Sequence, residues 1–244
     1  MIRSKLSRSA VSAAIGTAVA VAMSTAAFTP VFADTPAPAV TWMGQIAEGA
    51  SFVYGTVPAA PTCAADPVDP AVTCVVLGYS DQVGTWTLTP QLQDAVTAAP
   101  LEVQPTQTIT YTVTAWELKG FYAPVKHDKL TRKAGSTVPF KFKVWYDAAR
   151  THKAKTATVV ASFLAQPVSC TDPTVATGAA VPVASAHKGF TLKYRDGAFH
   201  QNWKSPKLPK AAKVKGKKVP VTACYQVTMT TQDGSSISAL VTLK

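Results

Sequence analysis

Between Val138 and Tyr146 every second residue is apolar: Val138, Phe140, Phe142, Val144 and Tyr146 share one side of an extended chain, and Pro139, Lys141, Lys143 and Trp145 share the other. A period of two belongs to a strand, because a helix would bring together residues three and four apart. The stretch predicts a strand buried on one face, with lysines kept in water on the opposite face. Pro139 has no N–H to donate, which suits a strand start or a sheet edge. Trp145 is predicted outward, where so large a ring marks a domain junction or a contact surface.

The same reading extends along the chain. Ala157, Val159, Ala161 and Phe163 alternate, and Asp-Gly turns predict two hairpins: Phe190–Tyr194 with Ala198–Trp203, and Tyr225–Thr231 with Ser236–Leu243. Upstream, Ile109, Tyr111 and Val113 face one way while Thr110, Thr112 and Thr114 face the other. Shorter β-rich segments, Val40–Met43, Ser51–Tyr54, Thr73–Leu77 and Thr85–Leu88, are separated by proline, glycine and aspartate. The expected fold class is all-β: two immunoglobulin-like β-sandwich domains in tandem after a signal peptide, with a barrel as the other arrangement such patterns allow.

The N-terminus supplies the compartment. Arg3, Lys5 and Arg8 precede an alanine- and valine-rich run, and Val31-Phe32-Ala33 has the small residues a signal peptidase reads, so residues 1–33 are expected to be removed after Ala33. No second apolar run predicts a membrane span in the mature chain. Export makes Cys63, Cys74, Cys170 and Cys224 disulfide candidates. Three pairings are open to four cysteines; the division into domains favours Cys63 with Cys74 and Cys170 with Cys224. Such loops would constrain the unfolded chain by roughly 3 and 4 kcal/mol. A zinc or redox site would want closer spacing, such as C-x-x-C, and none is present.

Charge divides the mature chain in two. Residues 34–115 hold seven acids and no lysine or arginine, whereas residues 116–244 hold twenty-one basic residues against six acids. The expected domains are therefore 34–115, acidic and immunoglobulin-like, and 116–244, basic. Such asymmetry bears on partners. Opposite charges also predict domain–domain docking or head-to-tail self-association.

The run Trp116-Glu-Leu-Lys-Gly-Phe-Tyr-Ala-Pro-Val125, followed by Lys133-Ala-Gly-Ser-Thr-Val-Pro-Phe-Lys-Phe142, resembles the PxKF domain of secreted and surface-displayed bacterial proteins, Pro139 to Phe142 being its name-giving tetrapeptide. The resemblance continues through Phe199–Pro206, Cys224–Val227 and Asp233–Ser236, and covers residues 116–244. Residues 34–115 are similar to the small Ig-like modules that often precede it, at Tyr54-Gly55, Val57-Pro58, Cys63, Cys74 and Gly78-Tyr79-Ser80. The resemblance implies an extracellular or envelope location and no catalytic activity.

Where relatives run directly from the Trp203 strand to the cysteine strand, this chain inserts Lys207–Lys218. Lys204, Lys207, Lys210, Lys213, Lys215, Lys217 and Lys218 form a run without an acid, predicted to be an extended, solvated loop. Lysines of this density suit an anionic cell-wall polymer or another surface polyanion, through counterion release and without selectivity. A loop that only aids solubility is the plain alternative.

Other chemistry is not indicated. The chain lacks G-x-S-x-G, H-E-x-x-H, a P-loop and an EF-hand loop. His127, His152, His187 and His200 are scattered, with Asp128, Asp147 and Asp196 the nearest carboxylates in sequence. Asp66, Asp69 and Asp81 lack a calcium-ligand pattern and are read as turn residues. Phe190, Tyr194, Phe199 and Trp203 interleave with Lys188, Lys193, Arg195 and Lys204, but strand periodicity assigns the rings to a core, so no specific nucleic-acid partner is expected. No catalytic residue, cofactor or metal site is assigned. Asn202, the sole asparagine, would need burial beside a lysine and a carboxylate to form an internal crosslink. The expected function is a secreted, non-enzymatic envelope or surface module; the alternatives are a secreted hydrolase, or an accessory domain of one, and a purely structural spacer.

Overall fold

Two sets of strands, each hydrogen-bonded only within itself, meet between Thr114 and Glu117. The computed structural model describes residues 37–125, 128–183, 192–209, 213–214, 217–218 and 221–244. Residues 1–33, expected to be a signal peptide, lie outside the described residues.

The first set contains β1 (Ala39–Met43), β2 (Ala50–Val53), β3 (Thr62–Asp66), β4 (Val72–Leu77), β5 (Gly84–Asp94) and β6 (Ile109–Thr114). β1 and β3 form a two-stranded antiparallel sheet, and the other four run in the order β2-β6-β5-β4, with β2 parallel to β6. Between them lie Ile46, Leu88, Ile109, Tyr111 and Val113. The alternation read along β6 holds, its apolar residues being buried and its threonines not. The hydroxyl of buried Tyr111 donates to Ser80 O at 2.6 Å and accepts from Ser80 N at 2.9 Å, so its polar tip is satisfied inside a small core. A disulfide joins Cys63 on β3 to Cys74 on β4, and so ties the two sheets together. β3 carries little sequence signal, since Thr62 is the one β-branched residue in Thr-Cys-Ala-Ala-Asp and the stretch does not alternate. Its pairing with β1 and its disulfide make it a strand.

The second set contains β7 (Glu117–Gly120), β8 (Lys129–Arg132), β9 (Thr137–Trp145), β10 (Val160–Val168), β11 (Val181–Pro182), β12 (Lys193–Arg195), β13 (Ala198–Lys204), β14 (Lys213–Val214), β15 (Lys217–Lys218), β16 (Ala223–Thr231) and β17 (Ser236–Leu243). One sheet has the order β12-β13-β9-β7 and the other β11-β10-β16-β17-β8. Lettering β7, β9, β10, β12, β13, β16 and β17 from A to G gives sheets D-E-B-A and C-F-G, the immunoglobulin arrangement of two facing sheets and not a closed barrel. Val138, Phe140, Phe142 and Val144 of β9 have no exposed surface. Around them the rings of Phe121 and Phe163 stack at 5.7 Å, and those of Phe142 and Phe199 at 5.3 Å. Cys170 is bonded to Cys224, stapling the end of β10 to its neighbour β16.

Three expectations are corrected here. Trp145 is buried, at 7% exposure, because the segment after β9 folds back over it and sets Arg150 and Lys153 against its ring at 5.5 and 5.9 Å. Ala157–Val159 forms a 3₁₀ turn and not the start of a strand. A register shift between Val160 and Ser162 then buries Val160 and exposes Ala161, against the reading for that one residue, while Val159 and Phe163 are buried as expected. The Asp-Gly hairpin is as read: Asp196 and Gly197 have φ of 52° and 73°, as a tight turn between β12 and β13 requires.

Residues 37–244 form one compact unit, and its two strand sets are joined without slack. The backbone N–H of Trp116 donates to Asp233 Oδ2 at 2.6 Å, and its indole Nε1 donates to Tyr54 O at 3.1 Å. The Trp116 ring packs edge-on against Tyr54 (5.4 Å, 82°) and Tyr146 (5.2 Å, 75°). Asp233 is 8% exposed and also accepts from Thr231 Oγ1 at 2.5 Å and Ser235 Oγ at 2.7 Å. Replacing Asp233 with alanine leaves the Trp116 N–H and the Ser235 hydroxyl without this acceptor, while the Thr231 hydroxyl keeps Ser235 O at 2.9 Å. It is expected to cost about 2–3 kcal/mol and to lower the calorimetric midpoint by roughly 5–10 °C. An unchanged midpoint would show that the junction is held by other contacts.

Candidate functional site

The lysine run does not act alone in space. β8 ends at Arg132, and the turn from Lys133 to Ser136 leads into β9. In it, Ala134 N donates to Lys244 O at 2.9 Å and Gly135 N to Pro206 O at 2.9 Å. Ser205, itself buried, donates both its N–H and its hydroxyl to Ser136 O. These bonds bring together the turn before β9, the segment after β13 and the end of β17. Gly135 has φ +73°, and a Cβ there would stand 3.0 Å from Lys207 Cγ. Glycine thus permits the turn and lets the stem of Lys207 lie against it.

The result is a cleft of about 510 Å³ flanked by Lys133, Lys207 and Lys244, with Gly135, Leu208 and Val221 between them. All three lysines are exposed. No acidic side chain lines the cleft. The ion pairs found among the described residues, Arg150–Glu117 and His152–Asp147, lie elsewhere, and both fall inside the second strand set.

Of the predicted contact residues, Lys204 ends β13 and is exposed, and Lys207 lines the cleft. Lys210 and Lys215 lie outside the described residues. Lys213, Lys217 and Lys218 fall in β14 and β15, which pair antiparallel with Lys213 opposite Lys218 and Val214 opposite Lys217. The insertion is therefore not simply an extended loop, because backbone pairing forms part of it. Lys133 and Lys244 were not predicted as contacts. Each sits in a separate segment with no lysine-rich signal of its own, and only the backbone bonds of the turn bring them to Lys207.

A second concavity of about 470 Å³ opens beside the junction, between Tyr54, Thr56, Trp116, Tyr146, Asp147 and His152. Asp147 Oδ1 accepts from Thr151 N at 2.9 Å and Oδ2 from His152 N at 2.6 Å. The Thr151 N–H, opposed by desolvation and reinforced by the His152 N–H, holds the Asp147 carboxyl down at about 2. His152 Nδ1 lies 3.2 Å from Asp147 Oδ2 and 3.0 Å from Thr151 Oγ1. Carboxylate and hydroxyl thus approach the same ring nitrogen, whereas a triad places them on opposite ones.

The remaining candidates are placed as follows. His200 is half-buried on β13, and burial first, then Arg195 and Lys141, lower its pKa; His127 and His187 are outside the described residues. Asp69 accepts from Ala71 N and Asp81 from Gln82 Nε2, both turn contacts. Asn202 is exposed, opposite Pro139 across the ladder, without the burial an internal crosslink needs. Phe199 and Trp203 are core residues, Tyr194 packs on that core, and Phe190 and Lys188 lie outside the described residues.

No protein-family model matches the chain, and no curated protein matches it. Among solved structures it is similar to fibronectin(III)-like modules of Clostridium thermocellum CbhA, with 12% identity over 84% of this chain and 94% of that one at a TM-score of 0.26. Domains 4 and 5 of the S-layer protein SbsC show 10% identity over 85% and 98% at a TM-score of 0.24. SGBP-B of a Bacteroides ovatus mixed-linkage glucan utilization locus, in complex with a mixed-linkage heptasaccharide, shows 13% over 82% and 44% at 0.22. At such TM-scores no relationship of function follows.

Because Asp147 is held below its ordinary value of 3.8, the native state binds that proton only at lower pH. Its contribution to stability is complete above about pH 4 and is lost as pH falls through about 2. Carboxyl-detected NMR titration is expected to place Asp147 near 2, with the Thr151 and His152 amide signals moving in step. A midpoint near 4 would contradict the hydrogen bonding described.

Proposed function

We propose that this chain is an exported, non-enzymatic module of a bacterial envelope that holds anionic wall polymer at the lysine cleft. The observation that carries this reading is the convergence of Lys133, Lys207 and Lys244, from three separate segments, on a cleft lined by no acidic side chain. Export is supported by the signal-like N-terminus and by two disulfides. The PxKF resemblance of residues 116–244 points to the same location. Lysine ammonium groups, compact and strongly hydrated, suit a repeating phosphodiester better than a shaped phosphate site, for which arginine forks serve. Binding by several such groups releases counterions and weakens steeply with salt.

A second reading, a rigid spacer between other parts of a surface assembly, is favoured by one observation: the Trp116 junction, where both the backbone and the indole of a single linker residue are hydrogen-bonded across to their neighbours. The two readings differ in whether a ligand is bound at all.

Co-sedimentation with purified cell walls, with and without teichoic acid, separates them. The intact protein is expected to pellet with the complete walls and to be released by salt. The triple variant Lys133→Gln, Lys207→Gln, Lys244→Gln is expected to lower the slope of log K against log salt by about two to three. Equal retention of the variant, with an unchanged slope, removes the cleft as the contact. Failure of both proteins to bind leaves the spacer.

A further inference from the structure

The junction cleft carries an inference independent of the lysines. Tyr54 follows β2 in the first strand set, Trp116 comes from the link, and Tyr146 and Asp147 from the segment after β9. The three rings stand nearly perpendicular to their neighbours, at interplanar angles of 82° and 75° and centroid separations of 5.4 and 5.2 Å. They wall a concavity whose volume falls within the roughly 300–1,000 Å³ usual for small-molecule sites. On the same wall stands Asp147, a carboxylate held in place by two backbone N–H groups.

Much of the polar capacity around the cleft is engaged. The Trp116 indole N–H goes to Tyr54 O, the Thr56 hydroxyl goes to Val53 O, and Asp147 takes the Thr151 and His152 amides. A sugar, which needs many hydrogen-bond partners, fits such a lining poorly. A group with a positive charge and no N–H or O–H at that charge fits it well, since ring faces attract cations through their quadrupoles and a fixed carboxylate adds to the attraction. Of the nearby basic groups, Arg150 pairs with Glu117 and lies against Trp145, as does Lys153, and neither lines the cleft; His152 does line it, with Nδ1 3.2 Å from Asp147 Oδ2, on the side of the carboxylate that faces its own turn.

We propose that the cleft formed by Tyr54, Trp116, Tyr146 and Asp147 is a binding site for a quaternary ammonium group of the choline type. The aromatic walls supply the contact surface and Asp147 supplies the opposite charge. The site exists only while the two strand sets are held together at Trp116, because Tyr54 belongs to one and Tyr146 to the other. Occupancy therefore stiffens the junction, since a ligand that touches both walls stabilises their juxtaposition.

The test uses the intact protein at pH 8 and two probes of nearly equal shape: choline and its neutral isostere 3,3-dimethylbutan-1-ol. Calorimetric titration, with the Trp116 indole N–H signal followed by NMR, is expected to show choline binding at least about tenfold tighter than the alcohol. Tyr146→Leu and Asp147→Asn are each expected to weaken choline by about tenfold. Asp147→Asn removes the charge but keeps only one of the two oxygens that accept from Thr151 N and His152 N, so thermal melts check that the turn survives in this variant and that Tyr146→Leu is folded. The comparison of the two probes on the unaltered protein needs no variant at all. Equal affinity for choline and the alcohol, no shift of the Trp116 signal, or unchanged binding by both folded variants would each overturn the proposal. Flotation with phosphatidylcholine vesicles then assigns the group to a lipid headgroup if the protein floats, and to a free solute if choline binds and the vesicles do not.

Discussion

The carboxylate of Asp233 holds the linker residue Trp116 by its backbone N–H while the Trp116 indole donates to Tyr54 O of the first strand set, so this one residue is bonded to both sandwiches. A carboxylate with 8% exposure would be costly if it stood alone. Here it stands among the Trp116 and Ser235 amides and the Thr231 and Ser235 hydroxyls, so its charge is solvated by protein donors in place of water. The hairpin between β16 and β17 thereby acts as a clamp on a segment more than a hundred residues earlier. β6 ends at Thr114 and β7 starts at Glu117, which leaves two residues between sheets, and one of these is fixed through both its backbone and its ring.

Magnitudes explain why a sandwich can carry so lopsided a charge. Two unit charges 10 Å apart in water interact by about 0.4 kcal/mol, and ionic strength near physiological screens them beyond about 8 Å. Burying one phenylalanine is worth about 1.5–3 kcal/mol, and Phe121, Phe140, Phe142, Phe163 and Phe199 all lie in the second core. Core burial decides the fold, and solvated lysines spread over the surface do not reverse it. The same arithmetic separates the junction from the charge asymmetry. Its described contacts are aromatic and hydrogen-bonded, and both ion pairs found lie within the second strand set.

What could be read from the sequence depended on whether the cause was local. The period of two in Val138–Val144 is local, and every one of its apolar residues is fully buried. The Asp196-Gly197 turn is local too. Trp145 escaped because its cover, Arg150 and Lys153, arrives with a fold-back that periodicity does not register. β3 escaped because a partner strand and a disulfide define it, and the face of Val160 was reversed by a bulge. Asp233 was legible as a turn residue but not as a clamp, since its essential donor lies 117 residues away. The lysine run drew attention to Lys204 and Lys207, while Lys133 and Lys244 depend on hydrogen bonds between three distant segments.

The two clefts lie at opposite ends of one strand. Lys133 and Gly135 precede Thr137 at the start of β9, whereas Tyr146 and Asp147 follow Trp145 at its end. Nine residues of strand at about 3.3 Å each span roughly 26 Å between first and last Cα. That is about three screening lengths at physiological ionic strength. The acidic strand set, which meets the second at the Tyr146 end, is therefore too far along the strand to neutralise the lysine cleft through solvent. β9 keeps the cations accessible by distance, while its buried phenylalanines make the separation rigid. The Trp116 link, bonded to Asp233 on one side and to Tyr54 on the other, holds the acidic half at the far end of that strand.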